Sequence, residues 1–323
     1  MIAKIVSIIM PVYNGRQHLA CAIESALNQT YPDIQLIIVN DGSDDGSENI
    51  INKYLHDSRV TYVSNHKNMG VARTRNVALE HATGEFVSFH DQDDIWLPNK
   101  LSLQISALNL NPTLGLLHAQ YARVDSDGML LSEYIDKPST AYENSNASVE
   151  VGDVLESIFV SNDIQPLTSI IPKNVLDEVG WFNPDLPGVD DYELWLRIAY
   201  RYPIGQLKTI VGYWRKHAMQ QSNNGRLMQL TKLKAIDVFL DEHPKAKNRI
   251  SRNKFIKRMH GMNQGSANHY FYDLQDYKTA KLYYRKALKF KYYDLNSWFK
   301  LIYCIIPKPI QNSLRLVKKR LLQ

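Results

Sequence analysis

The sequence predicts an α/β protein in which a mostly parallel sheet flanked by helices is followed by an α-helical C-terminal region. Apolar strand-like runs alternate with segments of helical spacing over residues 5–90, and polar turn residues end each run. The balance of charge then changes sign near residue 225. A chain of 323 residues suggests two domains at about 150 residues each, so we predict domains at 1–225 and 226–323.

Four short apolar runs have the length and composition of buried strands, and three segments between them repeat apolar residues with helical spacing. The strand runs are Ile5–Met10, Gln35–Asn40, Val60–Ser64 and Glu85–His90, and the helical segments are Gln17–Gln29, Ser47–Leu55 and Val71–His81. Ligands of such sheets bind beyond the carboxyl ends of the strands. We therefore expect functional residues in Pro11–Gly15, Asp41–Ser47 and Asp91–Asp94.

The composition is that of an ordinary globular protein, with 44% apolar and 22% charged residues, which excludes collagen-like and disordered classes. Two cysteines, Cys21 and Cys304, provide neither a disulfide framework nor a cysteine metal cluster, and they favour a reducing compartment. The sequence shows no secretion signal and no apolar run of the roughly 18 residues that a membrane span needs. We therefore expect a cytoplasmic protein.

The net charge of +5 conceals two regions of opposite sign. Residues 1–229 contain 17 Lys and Arg against 27 Asp and Glu, whereas residues 230–323 contain 21 against 6. A change this sharp indicates different roles for the two parts. Because no nucleic-acid-binding motif accompanies the basic part, we do not expect a nucleic-acid partner.

The whole sequence contains no GxGxxG, P-loop, HExxH or GxSxG motif. Its most informative segment is Asp91-Gln92-Asp93-Asp94. Its three carboxylates lie between an apolar strand and the apolar segment 95–98. Clustered charge between packed segments is costly unless a cation compensates it. Mg²⁺ and Mn²⁺ take carboxylates together with substrate phosphates, so we predict a metal–diphosphate site here. The alternative is a solvated turn.

Six segments, in this order and near this spacing, resemble family 2 glycosyltransferases with the GT-A fold. They are PVYNG (11–15), VNDGSDDGS (39–47), NMGVARTRN (68–76), HDQDDIWLPNKL (90–101), GWFNPDLPGVDDYELWLRI (180–198) and YWRKH (213–217). The resemblance covers about residues 4–222, and the last third of the chain lies outside it.

The resemblance implies a pocket for the base and ribose of a nucleotide. In this family the aspartate of the second segment binds the base or ribose, and this residue is Asp41 here. Pro11, Tyr13 and Asn14 would line the same pocket, and Arg75 would lie beside the base or the diphosphate. The alternative for Asp41 is a turn residue that bonds its own backbone.

The resemblance also implies a metal site. The DxD element of the family falls on Asp91-Gln92-Asp93, where Asp93 would bind Mn²⁺ or Mg²⁺ and Asp91 would reach the ribose or donor sugar. His217 lies where the family often has a residue that contacts the diphosphate or the metal.

Asp190 and Asp191 occupy the position of the family's Glu-Asp pair. The resemblance implies that Asp191 is the general base and that Asp190 serves the acceptor side, where the family more often has Glu. Adjacent buried carboxylates raise one another's pKa, which suits a base that works near neutral pH. The alternative is a helix N-cap.

The basic C-terminal part is predicted to be helical. Leu227–Leu240 is amphipathic, residues 268–288 resemble a single tetratricopeptide-type helix pair, and the tail repeats Ile310, Leu314, Val317 and Leu321 beside basic residues. An apolar stripe with a basic face is typical of a helix that lies in an anionic membrane surface. The alternative is a helix docked on its own domain.

Together these features predict a metal-dependent, inverting glycosyltransferase that moves a sugar from a nucleotide-diphosphate donor to a saccharide or lipid-linked acceptor. We expect it to serve polysaccharide or lipid-linked glycan synthesis and, if the tail binds lipid, to be peripheral on the inner face of the cytoplasmic membrane. The alternatives are a nucleotidyltransferase acting on sugar phosphates, which would have no use for Asp191, and a scaffold with a retired transferase domain, which would have lost the DxD element or the base.

Overall fold

The computed structural model describes residues 4–131, 148–217, 220 and 225–306. Its contacts divide the chain into two units, residues 1–223 and residues 224–323. The first unit contains the sheet and the second is helical in its described part.

The sheet of the first unit has nine strands among the described residues. They are β1 (Val6–Val12), β2 (Ile34–Asn40), β3 (Val60–Ser64), β4 (Phe86–Phe89), β5 (Ile95–Trp96), β6 (Leu116–Val124), β7 (Val149–Gly152), β8 (Ile170–Pro172) and β9 (Ile204–Arg215). The order is β3-β2-β1-β4-β8-β6-β9-β5, and β7 pairs with β9.

The direction of pairing differs between the two halves of the sheet. Strands β3, β2, β1 and β4 pair in parallel, as the alternating pattern predicts. Strand β8 pairs antiparallel with both β4 and β6, and β5 and β7 pair antiparallel with β9, while β6 and β9 are parallel. The sheet is therefore mixed, and its parallel half is the part that carries the predicted strand ends.

Helices cover both faces of the parallel half. The helices of this unit are α1 (Leu19–Leu27), α2 (Ser47–Ile51), α3 (Val71–Glu80), α4 (Lys100–Leu110), α5 (Leu155–Val160), α6 (Lys173–Val179) and α7 (Asp190–Arg201). Ile8 and Met10 of β1 join one core cluster with Ile23 of α1 and Leu101 of α4. Because side chains alternate along a strand, Ile9 faces the opposite side, where α3 packs on β1 and β2.

The register brings the ends of β1, β2 and β4 to one edge of the sheet. Val12 pairs with Asn40, and Ile9 pairs with Phe89, the last residue of β4. The residues that follow these strands therefore lie close together. Pro11 is tolerated in this central strand because β4 has already ended on that side, so the missing N–H removes no bond to β4.

The described part of the second unit contains four α-helices, α8 (Gly225–Glu242), α9 (Arg252–Asn268), α10 (Tyr277–Phe290) and α11 (Leu295–Tyr303), and a 3-10 helix at Pro244–Arg249. Helix α10 packs against α9 and α11 around a small core that includes Ala280 and Tyr284. The segment 268–288, which was predicted to form a helix pair, contains a π-helical turn at His269–Asp273 followed by α10, because α9 already ends at Asn268. The amphipathic tail, residues 307–323, lies outside the described residues. Among those that are described, no helix combines the length and the apolar character needed to cross a bilayer.

Candidate functional site

Hydrogen bonds join the loops that follow β1 and β2. The backbone N–H of Asn14 donates to Ser43 Oγ at 3.0 Å, and Asn14 Oδ1 accepts from the N–H of Asp44 at 3.0 Å. Asn14 has a backbone φ of 49°, a left-handed conformation that asparagine tolerates better than most residues. The preceding side chain, Tyr13, is 46% exposed. Tyr13 and Asn14 thus lie at the strand-end edge, where the sequence predicts them, and the Tyr13 ring is accessible to a ligand.

Asp41 holds the loop that leads into α3. Its carboxylate accepts from Asn65 Nδ2 at 2.8 Å and from the backbone N–H groups of Met69 at 2.9 Å and Gly70 at 3.0 Å. The side chain is buried, with only 2% of the residue exposed. Asp41 therefore bonds the backbone of a neighbouring loop and not its own turn, and it offers little free surface to a ligand.

Gln92 connects the Asp91–Asp94 turn to the loop after β1. Its amide exchanges two hydrogen bonds with the backbone of Tyr13, accepting at 2.8 Å and donating at 2.9 Å. The side chain lies so close to Gly15 that a Cβ there would be 2.2 Å from Gln92 Oε1. Pro11, by contrast, is buried within β1 and presents no open surface. Gln92, which sequence analysis did not single out, thus fixes Tyr13 relative to the carboxylates.

Arg75 of α3 lies between two carboxylates. One end of its guanidinium donates to Asp91 Oδ1 at 2.8 Å, and the other end donates to Asp190 Oδ2 at 3.0 Å. The Arg75 side chain is 6% exposed, and its guanidinium lies 5.3 Å from the centre of the Phe182 ring. Burial lowers the pKa of Arg75, but Asp91 and Asp190 raise it by more, so the side chain stays charged. Arg75 therefore links the acidic turn, through Asp91, to the start of α7, through Asp190.

Asp190 and Asp191 open helix α7, whose N-cap position is Val189, so neither carboxylate is the cap. Asp190 is buried, whereas Asp191 is only partly so. Asp191 Oδ1 accepts from the N–H of Tyr192 at 2.6 Å. Burial, followed by the neighbouring charge of Asp190, raises the pKa of Asp191 to about 7. A carboxyl with this pKa can take or give a proton near neutral pH.

Asp93 and His217 lie together, as the sequence predicts, with Asp93 Oδ2 2.8 Å from His217 Nε2. Burial, followed by the charge of Asp91, raises the pKa of Asp93. The His18 ring, which sequence analysis did not single out, lies 5.4 Å from the His217 ring, centre to centre. Two of these side chains, Asp93 and His217, are suitable ligands for a divalent cation.

The chemistry of this pair fits Mn²⁺ or Mg²⁺ as a site with few protein ligands. A carboxylate oxygen and an imidazole nitrogen suit Mn²⁺, and Mg²⁺ commonly keeps one or two carboxylates and completes its shell with phosphate and water. Within the described ranges, no three His, Cys, Asp or Glu side chains converge as a complete metal site. Asp93 and His217 would therefore share the ion with a diphosphate.

Asp94 and Arg215 attach the acidic turn to the end of β9. Asp94 Oδ1 accepts from the backbone N–H of Arg215 at 3.1 Å, and Arg215 Nε donates to the carbonyl of Asp93 at 2.9 Å. Burial, followed by the charge of Asp93, raises the pKa of Asp94 well above its ordinary value. Because His217 follows Arg215 by two residues, these bonds set the distance between Asp93 and His217. The YWRKH segment contained this signal, but only its histidine was singled out from the sequence.

Comparison with known proteins identifies the family. The model of Glycosyl transferase family 2 matches residues 7–147. UDP-Glc:alpha-D-GlcNAc-diphosphoundecaprenol beta-1,3-glucosyltransferase WfaP of Escherichia coli is 31% identical over 224 residues, which are 68% of this chain and 81% of that protein. An uncharacterized glycosyltransferase of Rickettsia felis is 34% identical over 220 residues, or 68% of this chain, but the chain spans only 35% of that relative's length.

Solved structures share the fold at low sequence identity. S. aureus TarS in complex with UDP-GlcNAc has a TM-score of 0.58 at 18% identity, covering 97% of this chain and 92% of that chain. The mannosyltransferase PcManGT from Pyrobaculum calidifontis, in complex with GDP-Man and Mn2+, has a TM-score of 0.54 at 18% identity, covering 88% and 75%. These similarities confirm the predicted GT-A architecture, and the sequence relatives show the family: the chain belongs to glycosyl transferase family 2.

Proposed function

We propose that this glycosyltransferase moves a sugar from a nucleotide-diphosphate donor to an acceptor hydroxyl with inversion, and that Asp191 is the general base. The observation that carries the proposal is the position of Asp191: partly accessible, in the first turn of α7, with a pKa raised to about 7. Its neighbour Asp190 is connected through Arg75 to Asp91, in the acidic turn. The residue that precedes the proposed base is thus joined to the acidic turn by the two ion pairs of Arg75.

The donor would bind at the ends of β1, β2 and β4. The exposed Tyr13 ring offers a face on which a base can stack, and Asn14 stands beside it. Asp91, whose side chain is 32% exposed, has an oxygen available for a sugar hydroxyl in addition to the one bound by Arg75. Asp41 contributes by holding the loop before α3, and Pro11 by shaping the end of β1.

Asp93 and His217 would hold Mn²⁺ or Mg²⁺ at the diphosphate. When bound, such an ion supplies positive charge that stabilises the leaving diphosphate. Support for the metal comes from the side-chain pair itself and from PcManGT, whose structure is a complex with GDP-Man and Mn2+.

In the proposed reaction Asp191 removes the proton of the acceptor hydroxyl while that oxygen attacks the anomeric carbon. The attack comes from the face opposite the diphosphate, so a single displacement inverts the configuration and needs no carboxylate nucleophile. Burial and the charge of Asp190 raise the pKa of Asp191, whereas the guanidinium of Arg75 lowers it. Asp190 thereby supports the base, in addition to the acceptor-side role that we propose for it.

The acceptor would be a saccharide or a lipid-linked saccharide in polysaccharide or glycan synthesis. The support is the name of WfaP, which specifies a UDP-glucose donor and a diphosphoundecaprenol-linked acceptor. A lipid-linked acceptor would place the protein at the inner face of the cytoplasmic membrane as a peripheral protein.

Calorimetric titration with UDP, GDP and dTDP, each with and without Mn²⁺, tests the donor site. We expect metal-dependent binding of one nucleotide by the wild type and its loss in Asp93→Ala. The matched control is Asp177→Ala, which removes an exposed carboxylate on α6. Folded wild-type protein that binds none of the three nucleotides would contradict the proposal and favour the retired scaffold.

A further inference from the structure

Helix α11 carries apolar residues on two sides. Leu301 is buried in the core of the helical unit, with 4% exposed. Leu295, Phe299 and Ile302 follow one another at intervals of four and three residues, which places them on a single stripe. They are 70%, 73% and 53% exposed. A surface helix normally turns its apolar side to the core and a polar side to water, so this second stripe is not explained by packing within the described unit.

The stripe belongs to a larger concentration of exposed apolar side chains. Of the nineteen large apolar residues that are exposed in the described part of the chain, seven fall between residues 292 and 305. They are the stripe residues together with Tyr292, Tyr293, Trp298 and Ile305, and we call these seven the α11 face. Isolated exposed apolar residues are normal, but a concentration of this kind marks an interaction site.

The same unit presents positive charge to solvent. Lys278, Arg285 and Lys289 are exposed and lie at intervals of seven and four residues on one side of α10. Residues 230–323 contain 21 basic and 6 acidic residues. A second copy of this chain would bring like charges together, whereas an anionic surface would be attracted.

We propose that the α11 face docks on an anionic phospholipid surface. Aliphatic and aromatic side chains combined with Lys and Arg are typical of helices that lie in the headgroup region, where Tyr and Trp rings are favoured. Trp298 fits this pattern, because its indole N–H donates to the carbonyl of Tyr292 at 2.7 Å while its ring stays 44% exposed. Residues 307–323, which continue the chain, add further basic residues. This docking surface would hold the protein at the membrane, and it rests on the proposed function only for the reason why the protein would need to be there.

Vesicle flotation of the full chain tests the proposal. The vesicles contain phosphatidylcholine alone or phosphatidylcholine with phosphatidylglycerol. We expect binding to the anionic vesicles only, with a loss of about tenfold or more in Phe299→Ser/Ile302→Ser, because both side chains lose most of their transfer free energy. Leu110→Ser is the matched control, since Leu110 is 83% exposed on the other unit, and it should bind as the wild type does.

Two further variants separate the contributions. Lys278→Glu/Lys289→Glu should weaken binding and reduce its dependence on salt. Leu314→Ser/Val317→Ser changes only the segment 307–323. If vesicle binding were lost in that variant alone, the α11 face would not be the membrane-docking surface.

Absence of binding by the wild type would overturn the proposal. A wild-type dimer that becomes a monomer in Phe299→Ser/Ile302→Ser, without any vesicle binding, would instead make this face an interface between copies. Sugar transfer to a non-lipid acceptor, measured in parallel, distinguishes failure of this proposal from failure of the proposed function, because the α11 variants should leave that activity unchanged.

Discussion

Replacing Arg75 by methionine gives the most specific test of the network that joins the two halves of the site. Methionine has a similar length but no charge, so the change leaves two carboxylates without their cation. Leaving Asp190 without its cation costs more free energy than leaving Asp91 without it, because the Asp190 side chain is only 2% exposed, while that of Asp91 is 32% exposed and can be hydrated. Breaking a buried ion pair by removing one partner typically costs about 3–5 kcal/mol. We expect Arg75→Met to lower the free energy of unfolding by an amount in that range.

A double-mutant cycle shows whether the cost comes from Asp190. In Arg75→Met/Asp190→Asn the uncompensated buried charge is gone, so we expect the double variant to recover about 1–3 kcal/mol relative to Arg75→Met. Arg75→Lys should be intermediate, since an ammonium cannot reach both carboxylates with the paired geometry of a guanidinium. Arg73→Met is the matched control, because Arg73 lies on the same helix and is exposed.

Urea unfolding at pH 7 measures these differences, and the pH profile of kcat provides a second measure that packing alone would not change. Arg75 lowers the pKa of Asp191, so its removal should move the acid limb of the profile to higher pH. A cost below about 1 kcal/mol for Arg75→Met, or no recovery in the double variant, would refute the assignment of Arg75 as a buried link.

Three further predictions concern the carboxylates and the strand-end loops. Because the pKa of Asp191 is raised to about 7, kcat should fall as the pH drops below about 7. The same raised pKa contributes stability that is fully present below the ordinary pKa of a carboxyl group and is lost as the pH rises through 7. Asp191→Asn should therefore flatten the pH profiles of both kcat and the free energy of unfolding. Gly15→Ala places a Cβ against Gln92, which should displace Tyr13 and raise the donor KM several-fold with a smaller effect on kcat, as steady-state kinetics would show. Asp41→Ala removes the acceptor of the Met69 N–H and of Asn65 Nδ2 and should lower the free energy of unfolding in urea by about 1–3 kcal/mol; an unchanged midpoint would contradict the role given to Asp41.

The parallel half of the sheet could be predicted because its signals are local. Each strand from β1 to β4 is a short apolar run ended by polar turn residues, and the helices between them repeat apolar residues at helical spacing. Segment Ser47–Leu55 ends earlier as a helix than its pattern predicts, at Ile51, and continues as a tighter turn. The antiparallel strands β5, β7 and β8 have two to four residues each, which is too short for periodicity to reveal them.

The sequence could nominate residues for the candidate site but could not reveal the contacts between them. The rule that ligands bind at the ends of parallel strands led to Asp41 and to the acidic turn, while Asp191 came from the resemblance to the family. The ion pair between Arg75 and Asp190 joins residues 115 positions apart, and no local pattern encodes it. The role of Gln92 could not be predicted, because its two hydrogen bonds are to the backbone of Tyr13, which is distant in sequence.

Comparing Asp191→Asn with the wild type tests the central claim most directly, once the donor has been identified by titration. The assay measures both the binding constant of the nucleotide and the rate of sugar transfer to an acceptor, with Asp177→Asn as the matched control. If Asp191 is the general base, nucleotide binding should stay within about threefold while kcat falls by about 10²–10⁴-fold. Transfer by Asp191→Asn within tenfold of the wild-type rate, by correctly folded protein, would contradict the account.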